Sequence, residues 1–198
     1  MLPLAARALP VLLFLPLVWL FFLSYLEYLE TGAGFGVNPD EAFVKYLGEW
    51  SIRILLVAYA ISPVSRVLGW RALAKMRRLV GLTAFVYILL HLTSYVLLYI
   101  ELDWEVLFED VIERKYVVIG FLAFFCLLLM TITSTNRWKK RLGSNWRVLH
   151  RLIHIVVLYS LLHYIWLTKD GFGVILLYVV CFGVLSIERV VRFIGKTG

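Results

Sequence analysis

Six apolar segments alternate with short polar segments along the 198-residue chain. An α-helix needs about 20 mostly apolar residues to cross the hydrocarbon core of a bilayer, and five of the six segments approach or reach that length. The predicted spans are 8–26, 52–68, 79–100, 116–133, 146–166 and 174–187. The pattern therefore predicts an all-α polytopic membrane helix bundle with six transmembrane helices, forming a single domain over residues 1–198.

The first span has some features of a signal peptide, because Arg7 precedes a hydrophobic stretch. The stretch is longer than a usual signal core, and no small-residue cleavage site follows it. We expect a retained helix, with Pro10 and Pro16 as candidate bends.

Two of the polar segments carry signals of further helices. Asn38 and Pro39 have the residue types of a helix N-cap and first turn. The acidic segment 101–114 has the apolar spacing of a short surface helix. A short turn at 168–173 is expected before the last span.

Basic and acidic residues lie mostly in alternate loops. One set of loops holds fifteen of the 20 basic residues: Arg7, Arg66, Arg71, Lys75, Arg77, Arg78, Arg137, Lys139, Lys140, Arg141, Arg147, Arg151, Arg189, Arg192 and Lys196. The other set holds twelve of the 13 acidic residues: Glu27, Glu30, Asp40, Glu41, Glu49, Glu101, Asp103, Glu105, Glu109, Asp110, Glu113 and Asp170. The positive-inside rule then predicts both termini inside. The acidic outer face suits a partner with a basic patch.

The composition agrees with a membrane protein. The chain is 62% hydrophobic, whereas soluble domains are about half apolar. Topology accounts for the net charge of +7, so no nucleic-acid partner is expected. Cys126 and Cys181 both lie in apolar spans and are interpreted as small buried hydrophobes. Two cysteines cannot supply a four-cysteine iron–sulfur cluster.

All four histidines lie in the apolar spans: His91 in the third, and His150, His154 and His163 in the fifth. An ionisable side chain inside a membrane is costly unless it is paired, bound or functional. Imidazole is a standard axial ligand of haem iron. The histidines therefore indicate b-type haem held between helices, in a protein that carries electrons across the membrane.

The rise per residue of an α-helix gives the depth of each histidine in the membrane. His91 lies about 18 Å from the inner end of its span, and His163 lies near the outer end of the fifth span, so the two can face each other and ligate one haem. His150 lies about 20 Å further in, which suits a second centre near the inner face. On an ideal helix His150 and His163 are about 140° out of register. Either the helix bends, or the two centres lie on different sides.

Alternative interpretations of these residues stay open. An intramembrane histidine can simply hydrogen-bond a neighbouring helix, and this is the expected role of His154, which has no partner at its depth. The basic loops follow from topology alone. Arg77 and Arg78 are the candidates there for binding a haem propionate or a flavin phosphate.

Several short motifs resemble one family over most of the chain. They are Gly34-Phe35-Gly36-Val37-Asn38-Pro39, Ile61-Ser62-Pro63 before Arg66, Arg77-Arg78-Leu79-Val80-Gly81-Leu82, His91-Leu92-Thr93-Ser94-Tyr95, Ser134-Thr135-Asn136, Arg141-Leu142-Gly143 through Trp146 to Leu149-His150, and His163-Tyr164-Ile165-Trp166. Together they resemble the MsrQ (YedZ) family, the haem-binding membrane subunits of periplasmic methionine sulfoxide reductase systems. The wider relatives are the ferric-reductase-like transmembrane proteins.

The resemblance implies a function in the bacterial inner membrane. Such a subunit takes electrons from quinol or a reduced flavin on the inner side and passes them through one or two b haems. The acceptor is a periplasmic molybdopterin subunit, MsrP, which reduces methionine sulfoxide in oxidised proteins and forms a heterodimer with the membrane subunit. The membrane subunit has no sulfoxide-reducing site of its own. FMN is also associated with the family.

The resemblance carries the family ligands onto His91, His150 and His163 and does not include His154. The wider superfamily has two histidines on each of two helices. Here the third span has Arg77 and Arg78 at the earlier ligand position, so an inner haem lacks an obvious second ligand.

Two other function classes compete with this interpretation. A stand-alone ferric or quinone reductase would need its own donor domain, and the chain has no dinucleotide-binding glycine motif. A transporter or assembly scaffold with structural histidines would fit broken helices or repeats, which the sequence does not clearly show.

Overall fold

The computed structural model of the protein describes residues 4–168 and 173–194 and is helical throughout its regular parts, with no strand in these ranges. The helices are α1 Leu4–Leu29, α2 Pro39–Val67, α3 Arg71–Ser94, α4 Trp104–Glu113, α5 Lys115–Ile132, α6 Asn136–Leu142, α7 Asn145–Leu149, α8 Ile153–Leu167 and α9 Gly173–Ile194. A π-helical turn, Tyr95–Tyr99, extends α3, and a 3₁₀ turn, His150–Leu152, joins α7 to α8.

The all-α prediction is confirmed, since the described residues include six helical stretches long and apolar enough to cross a membrane. The short surface helix is confirmed as α4, and α2 begins at Pro39 as predicted, although the Asn38 side chain makes no capping hydrogen bond. The predicted turn at 168–173 and the end of the basic tail fall largely on residues outside the described ranges.

The helices extend further into the polar segments than the apolar runs do. The second span was predicted to begin at residue 52, yet α2 begins thirteen residues earlier, where Asp40 and Glu41 suit a helix N-terminus. The third span was predicted from residue 79, yet α3 begins at Arg71. Arg77 and Arg78 therefore lie on a helix. The apolar runs are shorter than the helices because hydropathy marks the lipid-contacting length of a helix, not its ends.

The core lies at the centre of the bundle. Helix α2 packs mainly against α3, and α5 packs mainly against α8. The large side chains that are almost fully buried are Leu47, Leu55, Tyr59, Val80, Tyr87, Val156 and Val157. Many large apolar side chains remain exposed on the outer helix faces, as expected for helices surrounded by lipid.

Helix α1 is fixed to the bundle by polar contacts at two levels. Tyr46 of α2 and Tyr87 of α3 donate hydrogen bonds to the carbonyls of Pro16 and Leu13, at 2.8 and 2.7 Å. At the end of α1 the Glu27 carboxylate accepts three backbone N–H groups of the following glycine-rich turn, at 2.7–3.1 Å. These contacts close the turn onto the helix that precedes it.

The turn also needs glycine at position 34. A Cβ built on Gly34 would lie 2.1 Å from the carbonyl oxygen of Leu23, a backbone atom that cannot rotate away. We expect Gly34→Ala to destabilise the purified protein by about 1–3 kcal/mol, the usual cost of overpacking, and so to lower its thermal unfolding midpoint. Gly183→Ala is the matched control, because nothing lies within 4 Å of its Cβ position. Equal midpoints for the two variants would contradict this packing.

Candidate functional site

The structure brings together two of the predicted ligands, His91 of α3 and His163 of α8. Their ring centroids lie 6.4 Å apart, and their planes cross at 78°. Two imidazoles on opposite sides of one metal ion, each with a metal–nitrogen distance of about 2 Å, have centroids roughly 6 Å apart. The observed separation therefore matches two axial ligands of a single iron.

Both rings are oriented by a backbone carbonyl on a neighbouring helix. Nδ1 of His91 donates to the carbonyl of Val44 at 2.9 Å, and Nδ1 of His163 donates to the carbonyl of Tyr116 at 2.7 Å. A carbonyl only accepts, so the proton of each neutral ring lies on Nδ1 and the lone pair lies on Nε2. The hydrogen bonds of the two rings within the described ranges are made by Nδ1 and not by Nε2. This is the usual arrangement of a metal-binding histidine.

Each ring also packs against a glycine of the helix that orients it. A Cβ on Gly48 of α2 would lie 3.0 Å from Cε1 of His91. A Cβ on Gly120 of α5 would lie 2.9 Å from Nδ1 of His163. Any larger residue would push the ring away from the adjacent carbonyl, so the two glycines are part of the site.

The donor set fits haem better than a metal ion held by protein ligands alone. No group of three or more His, Cys, Asp or Glu side chains in the described ranges could hold an ion. The two neighbouring imidazoles of His91 and His163 could instead hold an iron whose other ligands come from a porphyrin.

Comparison with known proteins identifies the family. The family pattern of the ferric reductase like transmembrane component matches residues 47–161. The chain is 38% identical to the "Protein-methionine-sulfoxide reductase heme-binding subunit MsrQ" of Caulobacter vibrioides over 178 residues, covering 89% of this chain and 82% of the relative. It is 36% identical to the protein of the same name from Rhodospirillum rubrum over 166 residues, covering 83% and 80%.

The chain belongs to the MsrQ family. It is thereby a ferric-reductase-like, multi-pass membrane protein. The ferric-reductase match contains His91 and ends two residues before His163, while the alignments with the MsrQ proteins extend beyond it.

His150, the third predicted ligand, lies at the other end of the same membrane span. It opens the 3₁₀ turn, its Nδ1 donates to the carbonyl of Trp146 at 3.1 Å, and its ring stacks on Trp146 at 4.0 Å. Trp146 is held in turn by the carbonyl of Thr133 at 2.9 Å. The ring of His150 is thus held in place, but no second histidine faces it.

The 3₁₀ turn changes the angle between His150 and His163. Thirteen residues of ideal α-helix leave them about 140° apart, and winding three of those residues at about 120° instead of 100° reduces this to roughly 80°. The break lies at His150–Leu152. The angle between the His150 and His163 side chains around the helix axis is smaller, but the two do not lie on the same face of the span.

The two arginines proposed to bind a cofactor differ in their surroundings. Arg77 donates from Nη1 to the Ser62 hydroxyl at 3.0 Å and is close enough to His150 to interact electrostatically. No contact of this kind links Arg78 to His150. Arg77 is therefore better placed than Arg78 to act together with His150.

His154 belongs to a separate polar cluster between α2, α8 and α9. Its Nδ1 pairs with the Tyr59 hydroxyl at 2.8 Å, and that hydroxyl also pairs with Ser186 at 3.0 Å. Arg189 donates to the Tyr59 carbonyl at 2.6 Å and stacks on its ring at 3.8 Å. These contacts give His154 a structural partner, which the sequence did not reveal because Tyr59 is 95 residues away.

We expect His154→Ala to leave haem content and spectrum close to those of the wild-type protein. The substitution removes a hydrogen bond from Tyr59 but leaves its contact with Ser186. The measurement is haem per purified chain by absorption. A large loss of haem would make His154 a ligand and overturn this assignment.

Proposed function

We propose that the chain is a b-haem electron-transfer subunit that passes electrons to a periplasmic molybdopterin methionine sulfoxide reductase, an MsrP-like partner with which it forms a heterodimer. The relatives are named as haem-binding subunits of a methionine sulfoxide reductase, and this supports the assignment of the chain to such a system. The observation that carries the proposal is the His91–His163 pair, 6.4 Å apart with both rings hydrogen-bonded through Nδ1.

His91 and His163 would hold the haem. Bound haem supplies an iron that takes up and releases one electron without a change of ligands. The carbonyls of Val44 and Tyr116 hold the two rings in one tautomer and one orientation. Such outer contacts fix the ligand geometry and raise the basicity of the ligating nitrogen. Gly48 and Gly120 allow the helices to approach the rings closely.

His150, Arg77 and Arg78 are proposed to bind a cofactor at the inner end of the bundle. A second haem there would use His150 as one ligand, and the arginines would pair with a propionate or with the phosphate of FMN. Electrons would enter from quinol or a reduced flavin on this side.

The proposed orientation has both termini inside, in the bacterial inner membrane, with the whole chain acting as one domain. The division of basic and acidic residues between the loops supports it. The acidic outer end would then face the partner, and the His91–His163 pair would be the centre nearer to it.

Electron delivery tests the function. The purified chain is reduced with a limiting amount of dithionite, then mixed with the soluble reductase subunit and methionine sulfoxide. We expect the haem to reoxidise only when both are present, with one methionine formed per two haem electrons. Haem that stays reduced in the complete mixture, while ferricyanide still oxidises it, would contradict the proposed partner.

A further inference from the structure

Helix α4 presents an apolar stripe away from the protein. Trp104, Phe108 and Ile112 follow one another at intervals of four residues and are 59, 67 and 81% exposed. Residues four apart lie on one helix face. The opposite side of the helix carries Asp110, which is buried against the bundle. The stripe is therefore an outward surface that no element in the described ranges covers.

The stripe is bordered by acidic residues. Exposed carboxylates lie on α4 and in the segment that leads into it: Glu101, Asp103, Glu105, Glu109 and Glu113. Within α4 itself there is no basic residue. The side chain of Asp103 also caps the helix, accepting the N–H groups of Glu105 and Val106 at 2.9 and 3.3 Å, so the surface is built on a defined helix.

The buried side of α4 is connected to the candidate haem site. The Asp110 carboxylate accepts from the Tyr95 hydroxyl at 2.6 Å and pairs with Arg114 at 3.1 Å. Arg114 donates to the Tyr116 hydroxyl at 3.2 Å, and this contact raises the pKa of Arg114. The carbonyl of Tyr116 orients His163. A molecule bound to α4 would thus lie close to the His91–His163 pair.

We infer that the outward face of α4 is the docking surface for the electron acceptor, a water-soluble protein whose contact patch has an apolar centre bordered by Lys and Arg. This inference rests on the proposed function. Exposed aromatic side chains within a polar border are typical of interface anchors. The carboxylates would steer and orient a basic partner.

A lipid surface fits the same face poorly. Helices that lie in the membrane interface usually carry Lys and Arg on their polar side, which attract anionic headgroups. The flanks of α4 are acidic and would repel such headgroups. The protein partner is therefore favoured by charge, and lipid insertion becomes an outcome that the experiment can detect.

The test measures binding of the purified soluble reductase subunit to the chain in nanodiscs of zwitterionic lipid. In the variant, Trp104, Phe108 and Ile112 are all changed to serine. The control carries Tyr28→Ser and Val37→Ser, which are 86 and 98% exposed and lie off α4. We expect at least about tenfold weaker binding for the triple variant, less than about twofold for the control, and weaker wild-type binding at high salt.

The haem spectrum of each variant should match that of the wild-type protein, because α4 contributes no ligand. Wild-type-like binding by the triple variant, or no binding by the wild-type chain, would overturn the docking surface. Binding needs no electron transfer, so a chain that lacks haem but still shows the expected binding pattern would refute the proposed function alone.

A spin label on α4 shows whether the apolar stripe lies in lipid or in water. Phe108→Cys is labelled on a background with Cys126→Ala and Cys181→Ala. We expect the label to be reached by a water-soluble nickel complex and to be shielded when the reductase is added. A label reached by oxygen and not by nickel would place the stripe in lipid and overturn the inference.

Discussion

His91→Ala and His163→Ala should each remove the low-spin signal of the haem that the two rings are proposed to hold, leaving less than about a tenth of it. The two rings lie at matched depth, 6.4 Å apart, and each has its lone pair on Nε2. Removal of either ring would leave the haem with only one of its two proposed histidine ligands. The measurement is the low-temperature electron paramagnetic resonance spectrum of the oxidised protein, together with haem per chain.

His154→Ala is the matched control, because it also removes an imidazole from the membrane. It should retain the signal. An unchanged low-spin spectrum in both ligand variants would show that these histidines do not ligate haem, and an equal loss in all three would overturn the structural assignment of His154.

Gly48→Ala and Gly120→Ala should weaken haem binding without removing a ligand. The added methyl groups would lie 3.0 Å from Cε1 of His91 and 2.9 Å from Nδ1 of His163, so each ring must move away from the carbonyl that orients it. Loss of such outer contacts lowers metal affinity by roughly 10-fold or more. Haem retention after titration with apomyoglobin, a haem acceptor, measures the change.

Gly81→Ala is the control for this pair, because it also lies in a helix and nothing is within 4 Å of its Cβ position. It should bind haem like the wild-type protein. Retention by Gly48→Ala and Gly120→Ala equal to that of Gly81→Ala would mean that the rings have room to move, and that their present orientation does not matter for binding.

Counting residues along the apolar spans was sufficient to predict that His91 and His163 lie close together. Helix rise is constant, so the depths of His91 and His163 follow from their positions in spans that run in the same direction. The rise says nothing about which face of a helix meets which neighbour. The structure supplies that information by packing α8 against α5 and α3 against α2.

The groups that orient the histidines could not be predicted in the same way. The carbonyls of Val44 and Tyr116 are backbone atoms, which carry no residue-specific signal, and each lies 47 residues from its histidine. The sequence does not distinguish Gly48 and Gly120 from other helix glycines, because their role depends on the histidine rings that pack against them. Sequence periodicity also missed the 3₁₀ turn at His150, because its residues are as apolar and helix-compatible as their neighbours.

The dithionite-reduced minus oxidised absorption spectrum of the purified protein, with haem quantified per chain, tests the central claim most directly. Two opposed histidines predict sharp b-type bands from about one or two haems per chain, with the low-spin form dominant. A protein purified without haem from cells that make haem freely would contradict the electron-carrier assignment and favour a transporter or scaffold with structural histidines.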